Sequence, residues 1–342
     1  MRRGVTLAIL AGWMVLAAGC AVEEPGEEGP APAKEGPLTI AVCPKGTMHV
    51  FWKSIHAGAR QAEKELNEGV PPGGTPNVKI IWQGPVVEDD REAQVNLVET
   101  FIQKRVDGIV LAPLDLKALV GPVRRARQAG IPVVIIDSAL ADEDAYVSFV
   151  ATDNYKGGVL GAQRLAELLG PDGGKAILLR YQVGSASTEN RERGFLEEIA
   201  KHEKVEVVSS DQYAGATVET AMNAAQALLT KYGKGQVDGV FCPNESSAYG
   251  MLRALVESGR AGKIHYVGFD ASDRLVGALK NGHIKGLVVQ NPFRMGHDGV
   301  ATVVKHLRGQ DVPKRVDTGV TLVTSENLDE PEIQKLVHPP LE

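Results

Sequence analysis

The sequence predicts a doubly wound α/β protein made of two Rossmann-like lobes, each with a parallel sheet covered by helices on both faces. Short runs rich in Val and Ile alternate with helical patterns along the chain, and strict alternation of this kind favours parallel sheets. The chain has 342 residues, more than one hydrophobic core usually spans. The segment at 106–113 is echoed at 237–243, which suits two lobes of similar construction, although a common Asp-Gly turn between helix and strand explains it nearly as well.

The chain begins with the pattern of an export signal. Two arginines precede an apolar run and a group of small residues that ends at Cys20. This ending resembles a bacterial lipobox, so we expect residues 1–19 to be a lipoprotein signal peptide and Cys20 to carry the lipid that anchors the protein to a membrane. A plain signal peptide followed by an incidental cysteine is the alternative. The segment 20–37 is rich in Glu, Pro and Gly and is predicted to be a disordered tether.

The predicted strands and helices follow one another through the rest of the chain. Strands are predicted where Val, Ile and Leu cluster in short runs, at 38–43, 78–82, 108–112, 131–136, 176–179, 205–209, 237–242, 265–269 and 284–289. Helices are predicted where apolar residues recur at helical spacing, at 51–67, 91–105, 115–129, 217–232 and 246–258. A glycine pair at 157–158 falls at the start of a further helix, and we interpret it as a site of close packing.

Composition and motifs argue against several classes of function. The formal net charge is −6 and the chain has no long basic run, so no nucleic-acid partner is expected. The sequence lacks the P-loop, the nucleophile elbow of serine hydrolases and the paired-histidine motif of zinc proteases, and its eight His residues lack metal-ligand spacing. We therefore expect no enzyme activity, no cofactor and no metal.

Two cysteines, Cys43 and Cys242, lie in the predicted globular head. Export would permit a disulfide between them. Each ends a buried-looking strand in a different predicted lobe, and a bond would join parts that must move. We expect two buried thiols instead.

Polar residues stand where several of the predicted strands end. They are Lys45, Asp137, Asn244, Asp270 and Gln290. Open parallel sheets bind ligands at the carboxyl ends of their strands, so we expect these side chains to line one cleft. Any single Asp or Asn among them is explained equally well as a helix cap or a turn residue. Their recurrence at successive strand ends favours a binding site.

These groups also indicate the kind of ligand. They provide carboxylates, amides and an amine without an evident nucleophile, which suits a sugar or polyol because each hydroxyl both donates and accepts a hydrogen bond. Phe51 and Trp52, just past the first strand, are candidates to face the apolar surface of a sugar ring. Core packing is the alternative, and it is harder to satisfy for both residues than for one, since adjacent residues point to different sides of a helix.

Several motifs together resemble one known family. They are Phe51-Trp52 at the entry to the first helix, TDN at 152–154 followed by Gly157-Gly158, RERGF at 191–195, Asn244-Glu245, VGFD at 267–270 and Gln290. From residue 38 to about residue 327 the chain resembles the ribose-type periplasmic sugar-binding proteins of ABC transporters. Their periplasmic binding protein-like I fold is also that of the effector core of LacI-type repressors. No DNA-binding helix-turn-helix precedes this region, so a repressor is disfavoured.

The resemblance implies a set of ligand contacts. The first lobe would supply Lys45, His49, Phe51, Trp52, Asp137 and Ser138, and the second lobe Arg191, Asn244 and Asp270, with Gln290 at the hinge and Tyr213 as a further aromatic candidate. Lys45, His49 and Ser138 depart from the residues of ribose binders, so the ligand need not be ribose and could be another pentose, a hexose or a polyol. A buried, unpaired Lys45 would be costly, so we expect it to pair with a carboxylate such as Asp137 or with a ligand oxygen.

The resemblance also implies how the chain is divided. Three crossovers between the lobes, near 152–153, 290–291 and 318–319, would form the hinge. The N-terminal lobe would comprise 38–152 plus 291–318, and the C-terminal lobe 153–290 plus 319–342.

The implied function is capture of a sugar or related polyol by a monomeric lipoprotein in the periplasm or at the cell surface. The lobes would close on the ligand, and the closed protein would deliver it to the permease and ATPase of an ABC importer. Two alternatives remain open. The closed head could instead dock on a chemoreceptor or sensor kinase as a sugar sensor. The other alternative is a sugar-converting enzyme with Asp137 and Asp270 as a carboxylate pair.

Overall fold

The computed structural model describes residues 33–339, together with residues 1 and 4. Cys20, the rest of the predicted signal peptide and most of the predicted tether lie outside the described residues. The strands are β1 (Leu38–Cys43), β2 (Val78–Trp82), β3 (Gly108–Leu111), β4 (Val133–Ile136), β5 (Ser148–Ala151), β6 (Gly174–Leu178), β7 (Val205–Ser209), β8 (Gly239–Phe241), β9 (His265–Phe269), β10 (Gly286–Gln290), β11 (Arg315–Asp317) and β12 (Val320–Val323).

Ten α-helices are found within the described residues, and a short 3-10 helix spans Glu143–Ala145. The α-helices are α1 (Val50–Leu66), α2 (Arg91–Gln103), α3 (Val120–Gln128), α4 (Asn154–Leu169), α5 (Ala186–Ile199), α6 (Val218–Lys231), α7 (Glu245–Glu257), α8 (Asp273–Lys280), α9 (Pro292–Leu307) and α10 (Pro331–Val337). In this part of the chain no helix is long and apolar enough to cross a membrane.

The strands form two six-stranded sheets built on one plan. The first has the order β11-β5-β4-β3-β1-β2 and the second the order β12-β10-β9-β8-β6-β7. Helices α1, α2, α3 and α9 pack on the first sheet, and the other helices on the second sheet or on its helices. We call each sheet with its helices a lobe, the first lobe and the second lobe.

Both faces of each sheet are buried, as a doubly wound fold requires. In β1, Ile40 and Val42 belong to one apolar cluster, whereas Ala41 and Cys43 belong to a cluster on the opposite face. The second sheet likewise has one cluster on each face. The predicted fold class is therefore confirmed.

The expectation of wholly parallel sheets is wrong at one edge. β12 runs antiparallel to β10, with Val320 opposite Gln290. Only Thr318 and Gly319 separate β11 from β12, so the chain enters the second sheet close to the point where β10 ends. β12 must then run away from that point, which makes it antiparallel. The predicted strands also omit β5, β11 and β12, all of which are short.

The chain passes between the two lobes three times. It leaves the first sheet after β5 and continues into α4 of the second lobe, returns between β10 and α9, and passes again between β11 and β12. The linking residues are Thr152 and Asp153, Asn291, and Thr318 and Gly319. The hydroxyl of Thr152 donates a 3.2 Å hydrogen bond to the carbonyl of Gly319, which joins two of the three links.

The sequence echo occupies equivalent positions in the two lobes. It includes β3 and β8, which hold the same place in the order of their sheets. The aspartate before each strand accepts a hydrogen bond from a neighbouring strand, Asp107 from the Thr39 amide at 2.7 Å and Asp238 from the Lys175 amide at 2.8 Å. The echo thus marks the same helix-to-strand turn in two lobes of similar construction.

Glycines bring pairs of helices into backbone contact. A Cβ atom added at Gly158 of α4 would lie 1.9 Å from the carbonyl oxygen of Arg191 in α5. The first lobe repeats this arrangement, because a Cβ atom at Gly296 of α9 would lie 1.9 Å from the carbonyl oxygen of Ile55 in α1. The interpretation of the glycine pair as close packing is confirmed, and the packing positions the backbone of Arg191.

The end of the predicted tether contacts the first lobe. The Lys34 amide donates to the Leu307 carbonyl at 2.7 Å, and its ammonium lies 3.0 Å from a carboxylate oxygen of Asp107. The guanidinium of Arg308 donates to the carbonyls of Lys34 and Gly36. Among the described residues, Lys34 therefore already contacts the globular head, before the predicted end of the tether, because Arg308 satisfies the backbone carbonyls there.

The two cysteines of the head are free and fully buried. Burial raises the pKa of both Cys43 and Cys242 to about 12, so both stay as thiols at neutral pH. They lie in clusters of different lobes. The expectation of two buried thiols is confirmed.

Replacing Gly158 by Ala is expected to lower the free energy of unfolding by about 1–3 kcal/mol, because the added methyl group forces α4 away from α5. The measurement is urea unfolding. Gly277 of α8 provides a matched control, because a Cβ atom there meets nothing within 4 Å. Gly277→Ala should raise stability slightly, by about 0.5–1 kcal/mol. Equal stability of Gly158→Ala and the wild type would contradict the close approach.

Candidate functional site

The carboxyl ends of the strands bring the predicted polar residues together. Asp137 follows β4 and Asp270 follows β9, and these strands hold equivalent places in the two sheets. Both residues have left-handed backbone conformations, with φ of 61° and 67°. Asp tolerates this conformation better than most residues, so each strand can end in a sharp turn that carries a carboxylate.

A cavity of about 30 Å³ lies between the lobes at these strand ends, and we call it the inner cavity. Nine predicted residues line it: Lys45, His49, Phe51, Trp52, Asp137, Arg191, Asn244, Asp270 and Gln290. The lining also includes residues outside the predicted contact set: Glu88, Tyr181, Ser187, Thr188, Glu245 and Ser246. The structure therefore gathers most of the predicted set into one place.

Lys45 forms a buried ion pair with Asp137. Its ammonium lies 2.8 Å from a carboxylate oxygen of Asp137, and both side chains are only 4% exposed. The same ammonium donates to the Ser187 hydroxyl of the second lobe at 3.0 Å. The expectation that Lys45 pairs with Asp137 is confirmed, and the ion pair also contacts the opposite lobe.

Asp270 is held by groups on two sides. One carboxylate oxygen accepts from the Gln290 side chain at 2.7 Å and the other from the Glu245 amide at 3.1 Å. Burial raises the pKa of Asp270 to about 6, although the nearby Arg191 lowers it. The carboxylate is thus mostly ionised at neutral pH and needs its partners to remain so.

Arg191 is fully buried and only partly bonded. Its Nε donates to the Asn154 side chain at 2.8 Å and Nη1 to the Pro243 carbonyl at 2.9 Å, while the guanidinium stacks 4.0 Å from the Phe269 ring centroid. Nη2 has no hydrogen-bond partner within residues 33–339. Burial lowers the pKa of Arg191, and the charge of Asp270 opposes this. A buried donor without a partner is a position where a ligand acceptor would be stabilised.

Glu88 joins the two lobes, and sequence reasoning missed it. One carboxylate oxygen accepts from the Trp52 indole at 2.6 Å and the other from the Tyr181 hydroxyl at 2.6 Å. The Gln182 side chain donates to the Glu88 carbonyl at 2.9 Å. Glu88 lies in the loop before α2, within an acidic run of three residues. Such a run predicts a turn exposed to solvent. No signal in the sequence alone distinguishes it from its neighbours.

His49 lies between two carboxylates from different lobes. Its Nδ1 is 3.1 Å from Glu245 and its Nε2 is 3.6 Å from Glu88. Although burial lowers it, the hydrogen bond to Glu245 and the charge of Glu88 raise the pKa of His49 to about 9. The protonated ring therefore connects the lobes at neutral pH.

Trp52 packs mainly in the core of the first lobe, whereas Phe51 is more available to the cavity. Trp52 is 2% exposed and belongs to the core of the first lobe, with only its indole nitrogen directed to Glu88. Phe51 is partly buried and meets Trp52 edge to face at 4.9 Å. Both residues line the inner cavity, and Phe51 is the better placed of the two to contact a ligand.

Asn244 lines the inner cavity, but its side chain also forms a capping box with Ser247 at the start of α7, as the helix-cap alternative requires. Two predicted residues, Ser138 and Tyr213, lie outside the cavity. Ser138 is fully buried outside the inner cavity, where its hydroxyl accepts from the Ser187 amide at 3.1 Å. Tyr213 is 39% exposed and packs 4.8 Å from the Arg180 guanidinium, away from the cavity. Tyr181, rather than Tyr213, provides the aromatic residue of the second lobe at the cavity.

The described residues contain no cluster of His, Cys, Asp and Glu that could hold a metal ion. The polar groups of the inner cavity instead form a network of carboxylates, cations and hydroxyls. An α/β molecule with two lobes and such a network at its strand ends is a protein that binds a ligand between its lobes.

The chain belongs to a family described as the periplasmic binding protein domain, whose model matches residues 40–311. This match confirms the resemblance recognised in the sequence. The D-allose-binding periplasmic protein of Escherichia coli (strain K12) is 28% identical over 270 residues, which cover 77% of this chain and 83% of that protein. The ribose import binding protein RbsB of Salmonella typhimurium is 33% identical over 215 residues, covering 63% and 70%.

Solved structures of sugar-bound solute-binding proteins have the same fold as this chain. A carbohydrate transporter solute-binding protein from Agrobacterium radiobacter in complex with D-arabinose has 34% identity and a TM-score of 0.82, covering 89% of this chain and all of that one. A solute-binding protein of an ABC transporter from Agrobacterium vitis with bound D-fucose has 36% identity and the same TM-score of 0.82, covering 88% and 100%. The fold therefore extends over nearly all of the described chain.

Replacing Lys45 by Met is expected to lower the free energy of unfolding by about 3–5 kcal/mol, because the Asp137 carboxylate is left buried and uncompensated. The measurement is urea unfolding at neutral pH. Adding Asp137→Asn should restore part of the loss, since it removes the uncompensated charge. An unchanged stability of Lys45→Met would show that the pair is not buried as described.

Protonation of His49 is expected to make stability depend on pH. Its pKa of about 9 in the folded protein lies above the value of about 6.5 in an unfolded chain. The contribution of the charged ring is therefore fully present below about pH 6.5 and is lost as the pH rises through about 9.

The measurement is the difference in unfolding free energy between the wild type and His49→Gln, followed from about pH 6 to about pH 10. The difference should shrink as the pH rises. The pKa of His297 is also raised to about 9, by Asp298 and Glu65, but this group is common to both proteins and cancels. A difference that does not change with pH would argue against a charged His49 between Glu88 and Glu245.

Proposed function

We propose that this protein captures a sugar or related polyol in the cleft between its lobes and delivers it to an ABC importer. The relatives support this proposal. Two are named for the sugars D-allose and ribose, and two solved structures contain bound D-arabinose and D-fucose. They are binding proteins of transport systems rather than enzymes, which argues against the sugar-converting alternative. The protein holds its ligand and does not alter it.

The observation that carries the proposal is the pair of unpartnered buried polar atoms in the lining of the inner cavity. Arg191 Nη2 is a donor and Gln290 Oε1 an acceptor, and neither has a hydrogen-bond partner in the described part of the chain. A sugar hydroxyl satisfies either one, because it both donates and accepts. The carboxylates of Asp137 and Asp270 supply charged acceptors beside them, and these make the stronger hydrogen bonds.

Binding is proposed to stabilise the closed arrangement of the lobes. The lobes contact each other through Tyr181 and Glu88, through the Ser187 amide and Ser138, and through the Leu116 amide and the Gly184 carbonyl at 2.8 Å. A ligand can bond to both lobes at once only when they lie close together, so it shifts the equilibrium towards a closed state. The permease would recognise the closed surface.

The proposed division of the chain follows from the three links. The first lobe comprises 38–152 plus 291–318 and the second 153–290 plus 319–342, with the links as the hinge. The sheet assignments of β11 and β12 support this division.

The ligand need not be ribose. Lys45 and His49 bring positive charge to the first-lobe side of the cavity, while Glu88 and Glu245 bring negative charge close to His49. Lys45 and His49 depart from the ribose-type pattern, and the arrangement suits another pentose, a hexose or a polyol.

We further propose that the protein is a monomer held at a membrane by a lipid on Cys20, outside the cytoplasm. The order of basic, apolar and small residues before Cys20 supports this. The contacts of Lys34 hold the chain against the first lobe at this point.

A thermal-shift screen against pentoses, hexoses, polyols, sugar acids and nucleosides tests the proposal. A ligand at a hundredfold excess over its dissociation constant adds about 2.7 kcal/mol to the free energy of unfolding and raises the melting temperature by several degrees. We expect a hit among the sugars or polyols. A flat result across these classes, from folded protein free of co-purified ligand, would contradict the proposed function.

Asp270→Asn is expected to weaken binding of that ligand about 10- to 100-fold, because a hydrogen bond to a charged group contributes about 1.5–3 kcal/mol. Isothermal titration calorimetry measures the change. Asp172→Asn is a matched control, since Asp172 is exposed in the loop before β6, away from the cleft. If both variants bind as tightly as the wild type, Asp270 is not a ligand contact.

A further inference from the structure

A second, larger cavity lies beside the inner cavity, and we call it the outer chamber. Its volume is about 540 Å³. The outer chamber and the inner cavity share five lining residues: His49, Phe51, Glu245, Asp270 and Gln290. A ligand held by these residues would therefore lie against both spaces.

The size of the outer chamber is that of a ligand site in its own right. Pockets that bind small molecules usually measure about 300–1,000 Å³. At about 30 Å³ the inner cavity is far below this size in the present arrangement of the lobes. Its walls come from both lobes, so it admits a sugar ring only when the lobes lie further apart. The outer chamber has room for a ring with its substituents next to a sugar held in the inner cavity.

Much of the chamber wall is apolar and comes from both lobes. Met48 and Val50 of the first lobe remain 66% and 37% exposed, and they stand beside Phe51. The second lobe contributes Tyr249 and Leu336, among others. Such surfaces suit the C–H face of a second sugar ring, as aromatic and aliphatic groups do elsewhere.

The chamber also contains buried polar atoms that lack partners. Ser54 Oγ, Ser272 Oγ and Gln290 Oε1 have no hydrogen-bond partner among the residues that the structure describes. The side chains of Ser54, Ser272 and Gln290 are each at least nine-tenths buried, and all three residues line the chamber. Buried polar groups are normally bonded, so these atoms mark positions for ligand hydroxyls.

The charges of the chamber disfavour an anionic ligand. It is lined by three carboxylates and one guanidinium, on Glu245, Asp270, Asp273 and Arg274. The two histidines there lie against carboxylates, His49 at 3.1 Å from Glu245 and His338 at 3.6 Å from Asp273. A phosphate or carboxylate group would be repelled by the excess of acidic groups, whereas neutral hydroxyls are accommodated.

Two helices begin at the chamber without side-chain caps. The first residues of α1 and α8 line it, and within residues 33–339 no side chain accepts a hydrogen bond from the first turn of either helix. In α1 the Trp52 amide already donates to the His49 carbonyl at 3.2 Å, so the amides before it are the ones that can donate to hydroxyl oxygens. With the excess of acidic side chains, these donors favour neutral oxygens over an anion.

We propose that the outer chamber is a subsite for the second ring of a neutral disaccharide whose first ring lies in the inner cavity. This inference rests on the proposed function as a sugar-binding protein and deepens it. The ligand would place the apolar face of its second ring against Val50 and Tyr249. Its hydroxyls would bond to Ser54 and Ser272.

Calorimetric titration of the protein with matched sugar pairs tests this inference. The pairs are D-glucose with maltose, D-galactose with lactose, D-xylose with xylobiose and L-arabinose with arabinobiose. In at least one pair the disaccharide should bind about tenfold or more tightly than its monosaccharide, a difference of about 1.4 kcal/mol or more.

The variant Val50→Trp tests the location of the second ring. Val50 lines the outer chamber but not the inner cavity, so an indole there should occupy the part of the chamber beside Phe51 where the second ring would lie. It should remove the advantage of the disaccharide while leaving monosaccharide affinity unchanged. Val256→Trp is the matched control, because Val256 is a 49% exposed valine on α7 that lines neither cavity. It should keep the wild-type ratio of affinities.

The outcomes separate this inference from the proposed function. If monosaccharides bind but no disaccharide binds more tightly than its monosaccharide, the subsite is overturned and sugar capture stands. If no sugar or polyol of any size binds, both are overturned. If Val50→Trp keeps the full advantage of the disaccharide, the second ring lies elsewhere and the assignment to the outer chamber is wrong.

Discussion

Compensation of buried charge determines how the cleft is built. Asp137 and Asp270 end equivalent strands of the two lobes, and an unpaired buried carboxylate is strongly destabilising. Asp137 is compensated by Lys45 of its own lobe. Asp270 depends on hydrogen bonds and on the charge of the buried Arg191. Arg191 in turn reaches its position because Gly158 lets α4 approach α5 closely. The need to compensate the buried Asp270 carboxylate therefore also constrains how these two helices pack.

The common plan of the two sheets explains why the site lies between the lobes. Parallel strands collect their carboxyl ends on one edge, and here two sheets of identical order contribute such an edge to one cleft. The short link through Thr318 and Gly319 makes β12 the one antiparallel strand among residues 33–339 and keeps the lobes adjacent. Neither lobe holds the full set of partners. Lys45 needs Ser187, and Glu88 needs Tyr181, so the network is complete only when the lobes meet.

The sequence predicts the sheets and strand ends well because their signals are local. Runs of Val and Ile mark most strands, and a polar residue after such a run must lie at the edge that binds the ligand. Glu88 and Tyr181 escape this reasoning because their positions depend on contacts across the cleft. Ser138 and Tyr213, which the resemblance implies as ligand contacts, lie outside the inner cavity, where Ser138 accepts from the Ser187 amide and Tyr213 packs against Arg180.

The inner cavity and the outer chamber place different demands on a ligand. In the inner cavity most polar groups bond to one another, which fixes their positions and leaves single free atoms such as Arg191 Nη2. A ligand isomer whose hydroxyl points elsewhere leaves that donor buried and unpaired, which is a large penalty. The outer chamber offers apolar walls and isolated hydroxyls such as Ser272, which restrict the orientation of a ring less. Stereochemistry would then be selected at the first ring, and ligand size at the second.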